Sequence, residues 1–556
     1  MTGLSTFDAY KRLDAVGAVP MEGDRLVALQ RCLVSILDDI LAVAGQTGAR
    51  LILGGGTALG AARRRGFIPW DDDLDVNMPR GDWPRFREAF KARFGDKYRV
   101  YEPGAPKSYG LCFPRIRLAG TSFVTREDLV LPPSCPGVFV DVFLSDGAPD
   151  NPALRRIHGF GSLALGFLYS CRKAFSERKW HRKWGLAGGV FRLKRSLGLA
   201  LAFMPLGCWT RLWDWWNGLC RGESSRLVTY PVGRRHYFGE LAPRAELAPG
   251  AAVEFEGRRC PCAAGLAAYM ARLYGPDYMT PPPEADREKH VAFSPFFLSR
   301  EDSPLKVAVA SHKEYAMPED AVYVPVFVGA ALSAGGAVPA GFRRDDEGGG
   351  ISERNRSWCE LTALHWAWKN VKSDAAGLVH YRRHFRGRNG IASGAELCAA
   401  LETADAILPK KRNYFIETTY SHYVHAHHAE DLDLTRRILE ERCPAFVQAF
   451  DAAMKSTSGH RFNMMVMKRR VFEDYCEWLF GVLFELERRL DTSSYSDYDR
   501  RVFGFVAERL LDVYVAARNV KFVEMPVVHL ESQHWPRKGL AFLRRKFGAI
   551  FNKKGN

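Results

Sequence analysis

The sequence lacks a long apolar run: its longest, Ser196 to Trp209, is shorter than the ~20 residues a spanning helix needs. It also lacks a leader pattern, since Met1 to Pro20 has no charged start followed by an apolar core, and no signal peptide is expected. Its twelve cysteines show no paired short spacing beyond Cys260-Pro-Cys262, which is no zinc knuckle, and no CxxC occurs. Free thiols in a reducing cytoplasm are therefore expected. Neither an internal repeat nor a recognisable RNA-binding module is present.

What is present points to two folded domains. At 556 residues the chain is too long for a single core of ordinary size, and 47% hydrophobic with 12% aromatic residues argues against disorder. The net charge of +16 suits anionic partners: nucleotides, phosphorylated lipids, an acidic membrane surface or nucleic acid. The apolar stretch is flanked by a basic, aromatic segment (Arg172 to Arg195) and by Trp213, Trp215 and Trp216. Such a region suits a membrane interface, or equally a buried helical hairpin within an inserted subdomain.

Apolar spacing predicts an α/β pattern. In the first half, helices are expected at 27–44, 58–65 and 83–94, with strands at 50–54, 74–76, 112–118 and 138–143. A break near Thr280-Pro-Pro-Pro283 and a linker over 290–303 precede a second α/β unit, which opens on a strand at 306–310. Further strands are expected at 377–381, 406–409, 463–467 and 520–530, separated by helices at 360–370, 432–441, 471–490 and 500–517. The alternation predicts a mostly parallel sheet. The domain bounds read as 25–295 and 304–537, followed by a basic amphipathic tail, 538–556, with Leu540, Leu543, Phe547 and Ile550 on one face.

The strongest chemistry lies in Gly54-Gly-Gly-Thr57 followed by Asp71-Asp-Asp-Leu-Asp75. Glycines after a strand let backbone N–H groups approach a phosphate, which makes Gly55, Gly56 and Thr57 phosphate-site candidates. Asp73 and Asp75, separated by one residue, would project to the same face of a strand. Asp141, within Phe139-Val-Asp-Val-Phe143, would reach the same cleft. Three carboxylates can hold Mg2+ or Mn2+ that polarises a phosphoryl group. A glycine turn, a spaced acid pair and a later third acid form the pattern of nucleotidyltransferase folds.

Gly55-Gly-Thr-Ala-Leu-Gly-Ala-Ala-Arg63 and Gly66-Phe-Ile-Pro-Trp-Asp-Asp-Asp-Leu-Asp75 resemble the signature of the LicD family. Further LicD-like marks follow at Gly137 to Phe143, Phe255-Glu-Gly257, Tyr274-Gly275, Pro281-Pro282 and His290. The resemblance implies a nucleotidyltransferase-like domain that moves a phospho-linked group from a CDP-linked donor to a glycan hydroxyl, phosphocholine being the best-known cargo. It implies Asp73 and Asp75 as metal ligands, Asp141 as ligand or general base, and Arg63 as a contact to donor phosphates. Arg64 stands where many relatives carry histidine. Trp70 is a candidate wall for a quaternary ammonium.

In the second half, Arg343-Arg-Asp-Asp346, Ile351-Ser-Glu-Arg-Asn355, Gly377-Leu-Val-His-Tyr-Arg-Arg383 and Leu408-Pro-Lys-Lys-Arg-Asn413 resemble the domain-of-unknown-function 4422 family of capsule and exopolysaccharide proteins. The resemblance implies a glycosyltransferase-like (GT-A-type) α/β domain that uses a nucleotide-sugar donor. His380, Arg382, Arg383, Lys410 and Lys411 follow expected strands and are candidates to bind the nucleotide phosphates. Asp345 and Asp346 read either as a metal pair or as a loop salt-bridge cluster. The histidines at 422, 425, 427 and 428 read as packing or substrate contacts rather than a metal site. Glu508 reads as a core-end acid or an acceptor-side base.

The combined expectation is a bifunctional enzyme of cell-surface glycan synthesis, cytoplasmic and peripheral on the inner face of the membrane, acting on a lipid-linked glycan acceptor. Nucleic acid is not an expected partner, although a nucleic-acid-directed nucleotidyltransferase would share the acidic triad. A C-terminal half that only binds glycan is the other alternative.

Overall fold

The structure is a computed structural model and describes residues 18–106, 109–183, 188–220, 224–287, 290–333 and 337–531. The basic tail 538–556 and most of the N-terminal stretch read for a leader lie outside the described residues. The chain forms two compact units. The first runs to Leu305 and takes in Pro318–Val322 and Ser393–Ala399; the second comprises Lys306–Met317, Tyr323–Ala392 and the chain from Ala400 onward.

The first unit is built on a sheet whose main path, written with the strand labels used below, is β1-β2-β5-β4-β3. These strands are β1 (Ile52–Leu53), β2 (Asp75–Pro79), β3 (Tyr98–Tyr101), β4 (Arg115–Leu118) and β5 (Phe139–Ala148). β2 and β5 run parallel, whereas β1 is antiparallel to β2 and β4 to β5. α1 (Gly23–Thr47) packs over the sheet through Leu29, Leu33, Ile36, Leu37 and Ile40, a helical stripe that is almost wholly buried. α2 (Gly55–Arg64) follows β1 directly, and α3 (Trp83–Phe94) starts with proline at its second position, where a missing N–H costs nothing. After β5 comes a helical insertion: α4 (Pro152–Ser176), α5 (Gly189–Ala200) and α6 (Leu206–Asn217). The apolar stretch read from the sequence is thus split between two helices by a break ending at Pro205. Among the described residues no helix is long and apolar enough to cross a membrane.

One expectation fails here. The segment read as a linker forms a strand, Val291–Phe297, paired antiparallel with both Ala18–Pro20 and Ser122–Val124. Its buried Ala292, Phe293 and Phe297 explain why it folds rather than staying solvated.

In the second unit, the main sheet path is β8-β7-β6-β9-β12-β11-β13, using β6 (Leu305–Ser311), β7 (Tyr323–Phe327), β8 (Arg343–Arg344), β9 (Ala375–His380), β11 (Ala406–Pro409), β12 (Met465–Lys468) and β13 (Phe522–Met525). β10 (Arg383–Gly387) turns back from β9 and pairs with β14 (Val527–His529). The sheet is mixed rather than mostly parallel: β12 lies antiparallel to both β9 and β11, while β6, β7 and β8 are mutually parallel and β13 is parallel to β11. The alternation of helices and strands in a sequence carries no information on strand direction. α7 (Leu361–Asn370), α8 (Arg469–Arg489) and α9 (Val502–Ala517) supply the core around Trp358, Phe480 and Leu510.

Candidate functional site

Three glycines place the start of α2 against the acids. Gly54 N donates to Asp75 O at 2.9 Å. Gly55 has φ +42°, and a Cβ there would stand 2.7 Å from Asp75 Oδ2; one on Gly56 would stand 3.0 Å from Asp71 Oδ2. Any side chain at Gly55 would therefore push the carboxylate away as well as strain the backbone. Thr57 Oγ1 accepts from Asp75 N at 2.8 Å, so the turn also fixes the backbone that carries Asp75. The positive end of the helix dipole faces a cluster of negative charge, a favourable arrangement.

The strands arrange that cluster. Asp75 on β2 is the register partner of Asp141 on parallel β5, and Asp141 is in turn the partner of Arg115 on β4. Register partners project to one face, so Asp75, Asp141 and Arg115 form a row across three strands. Arg115 Nε and Nη2 donate to Asp141 Oδ1 and Oδ2 at 2.6 and 2.9 Å, and its guanidinium stacks 3.4 Å from the Phe139 ring centroid. Asp73 precedes β2 and interacts electrostatically with both Asp75 and Asp141. Burial, then Asp72 and Asp141, push the Asp73 carboxyl up to about 6, against a lowering effect of His290. Burial, then Asp73 and Asp141, raise Asp75 well above the usual carboxylate range, partly offset by Arg115. Asp71 is raised as well, by burial and then by Asp73 and Asp72. Asp71, Asp73 and Asp75 are thus buried carboxylates whose charges oppose one another.

A second group adjoins it. His290 Nδ1 contacts Asp72, and its Nε2 lies 3.8 Å from Asp71 Oδ1; ligand atoms of Asp71, Asp72 and His290 lie within 4.8 Å of one another. The strand mistaken for a linker brings His290 here. In the sequence His290 stands only as a family mark, with no role attached.

Other candidates of the first unit sit differently. Arg63 donates to Tyr278 O and, at 3.0 Å, to Thr280 O, so its guanidinium ties down the 278–280 segment. The face of Trp70 is covered by the Arg287 guanidinium, 4.3 Å from the ring centroid.

In the second unit α9 organises the site. Its acids Glu508 and Asp512 are one turn apart and therefore share a helix face. Glu508 accepts from Phe462 N (3.0 Å), Arg509 Nη1 (3.0 Å) and Arg461 Nη1 (3.4 Å). Asp512 accepts from His460 N at 2.9 Å and lies 2.5 Å from His460 Nδ1 and 3.9 Å from Lys411 Nζ. Phe462 and Asn463 hold φ of 76° and 49°, a left-handed region that asparagine enters readily but that strains phenylalanine. His380, at the end of β9, points Nε2 at Phe462 O (2.6 Å); since a carbonyl only accepts, that nitrogen carries the proton. Arg383 lies 4.5 Å from the Phe462 ring. Burial, then Arg382, lowers its pKa. His380 and Arg383 thus gather near Glu508, whereas Lys411 faces Asp512, Lys410 is exposed and Arg382 pairs with Glu531 at 3.4 Å.

Arg461 and Arg509 were missed by the sequence reading. Both keep buried guanidinium nitrogens without partners, as does Arg383. The available signal was three charges, Glu508, Arg509 and Asp512, inside the otherwise apolar run from Val502 to Ala517. Asp345 accepts from Gly329 N (2.7 Å), Ala330 N (3.0 Å) and Ser352 Oγ, while Asp346 pairs with Arg344 at 2.7 Å, so this pair pins a loop. His425 and His427 each take a separate acid, Glu417 at 3.0 Å and Asp499 at 3.2 Å, and the His422 ring packs tilted against Tyr414, 4.6 Å between centroids.

Comparison with known proteins agrees with this division. Residues 48–104 match the family described as LicD/FKTN/FKRP, nucleotidyltransferase domain, and residues 306–519 match a domain of unknown function, DUF4422. The chain is 26% identical over 273 residues to lipopolysaccharide cholinephosphotransferase LicD of Haemophilus influenzae, a match covering 46% of this chain and 92% of that protein. It is also similar to the apo structure of WbbM, a bifunctional glycosyltransferase, at 29% identity and a TM-score of 0.38, over 41% of this chain and 45% of that one. The chain is a transferase that carries the LicD/FKTN/FKRP nucleotidyltransferase domain in its first half and the DUF4422 domain in its second.

Proposed function

We propose that this chain is a bifunctional enzyme of cell-surface glycan synthesis: its first half transfers a phospho-linked group, such as phosphocholine, from a CDP-linked donor to a glycan hydroxyl, and its second half transfers a sugar from a nucleotide-sugar. The observation that carries the first part is the in-register pair Asp75 and Asp141, set beside a glycine turn that leaves no room for a side chain. Carboxylate oxygens are the donors Mg2+ and Mn2+ prefer, and the buried acids supply them. Ligand atoms of Asp71, Asp72 and His290 lie within 4.8 Å of one another, and Asp73 and Asp75 are buried beside them, so the residues fit such an ion.

Asp73, Asp75 and Asp141 would hold it, with Asp71, Asp72 and His290 alongside. When bound, the ion polarises a phosphoryl oxygen and offsets the charge of the departing nucleotide. Gly55, Gly56 and Thr57 bring backbone N–H groups and the helix dipole to where donor phosphates would lie. Asp141, oriented by both donating nitrogens of Arg115, serves as a ligand or takes the acceptor hydroxyl proton. Arg63 acts on the donor through the segment it holds.

For the second half, the unpartnered nitrogens of Arg383, Arg461 and Arg509 support an anionic ligand of nucleotide-diphosphate type, with His380, Arg382, Lys410 and Lys411 at its approaches. The acceptor is a lipid-linked glycan, reached from the inner face of the membrane by peripheral contact.

The test offers purified protein a panel of CDP- and UDP-linked donors with the native lipid-linked acceptor, and reads products by phosphorus NMR and mass spectrometry. Asp73→Ala is expected to abolish phospho-transfer while sugar transfer persists. Equal loss of both activities in a folded variant would contradict two independent sites.

A further inference from the structure

The helical insertion of the first unit carries none of the acids or glycines of the transfer site. α4 is clasped by its neighbours through glycines: a Cβ on Gly198 would stand 2.1 Å from Cys171 O, and one on Gly161 would stand 2.2 Å from the Trp216 ring. This packing uses only part of each helix surface. Elsewhere large apolar groups stand in the open. Leu154, Ile157 and Phe160 follow one another at three-residue steps along α4 with 57%, 62% and 59% exposure. Leu199 and Phe203, at the end of α5 and just beyond it, are 61% and 74% exposed, and Trp215 on α6 is 50% exposed. More than half of the strongly exposed large apolar side chains among the described residues fall between Leu154 and Leu219. A concentration of this kind marks an interaction surface.

Charge decides what covers it. Between Pro152 and Leu219 the sequence places twelve lysines and arginines against two acids, Glu177 and Asp214; of the cations, Lys173 turns inward to Glu127 and Lys194 to Ser170, which leaves ten. Both acids are engaged internally: Glu177 lies 3.2 Å from His181 Nε2 and 3.8 Å from Lys173 Nζ, and Asp214 lies 2.9 Å from Arg80 Nη1. A second copy of the chain would oppose these side chains with like charge, and an apolar partner would strip water from the cations around them. An anionic bilayer accepts both components, apolar side chains below the headgroups and arginines at the phosphates.

We propose that the helical insertion docks the chain on an anionic membrane surface, with Ile157, Phe160 and Phe203 embedded at the headgroup boundary. The proposal gives the peripheral contact named above a surface. It rests on these exposed side chains and not on the transfer chemistry, so vesicle binding can fail while transfer to a detergent-solubilised acceptor persists.

Flotation of the full-length protein with vesicles of phosphatidylethanolamine and phosphatidylglycerol, and with phosphatidylcholine vesicles, tests it. Binding is expected to the anionic vesicles and to be strongly reduced on the neutral ones. Phe160→Ser with Phe203→Ser is expected to weaken binding at least about tenfold, since each buries an aromatic ring. Arg156→Gln with Arg192→Gln, both exposed positions, is expected to weaken it by about fivefold per charge, and only on anionic vesicles. Far-UV circular dichroism checks folding, and the arginine variants keep the test decisive should the serine variants unfold. Wild-type binding to both sets of insertion variants, lost instead in a Leu543→Ser, Phe547→Ser tail variant, would overturn the proposal. So would absence of vesicle binding together with a self-associated protein whose mass falls in the Phe160→Ser, Phe203→Ser variant.

Discussion

Replacing Asp73 by asparagine removes one negative charge from a pocket in which burial, Asp72 and Asp141 push that carboxyl from an ordinary 3.8 to about 6. A folded-state value above the unfolded one means the folded protein binds the proton more tightly between those limits. Stability therefore falls as pH rises through that window, and the loss is complete above the folded value. One pKa unit is worth about 1.4 kcal/mol, which sets an upper bound of roughly 3 kcal/mol; sharing of protons among neighbouring carboxylates brings the expected cost to about 1–2 kcal/mol. Without divalent metal at neutral pH, Asp73→Asn should thus raise the melting temperature of the first unit by about 3–6 °C, and by nothing below about pH 4. Magnesium should reverse the order, stabilising the wild type and leaving the variant unmoved. Differential scanning calorimetry in chelator and in magnesium, at both pH values, provides the measurement. A variant that is no more stable than wild type in chelator at neutral pH, or that magnesium stabilises equally, would refute the charge-repulsion reasoning.

Gly55→Ala should abolish phospho-transfer at a stability cost of only about 1–3 kcal/mol, because the new Cβ meets Asp75 at 2.7 Å and the backbone is left-handed there; activity assays and urea unfolding check both. Arg115→Leu leaves Asp141 buried without its partner and should destabilise the first unit by about 3–5 kcal/mol in urea, in contrast to Asp73→Asn. Asp345→Asn disrupts a buried anchor that accepts from two backbone N–H groups and a hydroxyl, and should cost about 2–4 kcal/mol without altering manganese affinity by titration calorimetry.

Much of the first site was legible because its signals are local. Gly54 to Thr57 and Asp73 to Asp75 lie close together in sequence, and alternation places Asp141 on a strand without reference to partners. α3 spans 83–94 as read, with a buried stripe of Trp83, Phe86 and Phe90. Non-local pairing was not legible. β4 reads Arg-Ile-Arg-Leu, which suggests a solvated edge, yet Arg115 and Arg117 both turn inward to Asp141 and Asp128. His290 reaches Asp72 only because its strand pairs with segments distant in sequence. In the second unit the loop of Arg461 to Asn463 acquires its shape from Glu508 on a later helix and from Glu360 about a hundred residues before it, so its chemistry appears only once the chain has folded.

Whether Asp73, Asp75 and Asp141 share one divalent cation is tested most directly by electron paramagnetic resonance titration of Mn2+ into the wild type and into Asp75→Asn, Asp141→Asn and His290→Ala. Tight binding by the wild type, lost in both aspartate variants and only weakened in His290→Ala, is expected. Unchanged manganese binding in the two aspartate variants, with its loss in His290→Ala alone, would place the ion elsewhere and contradict the shared site.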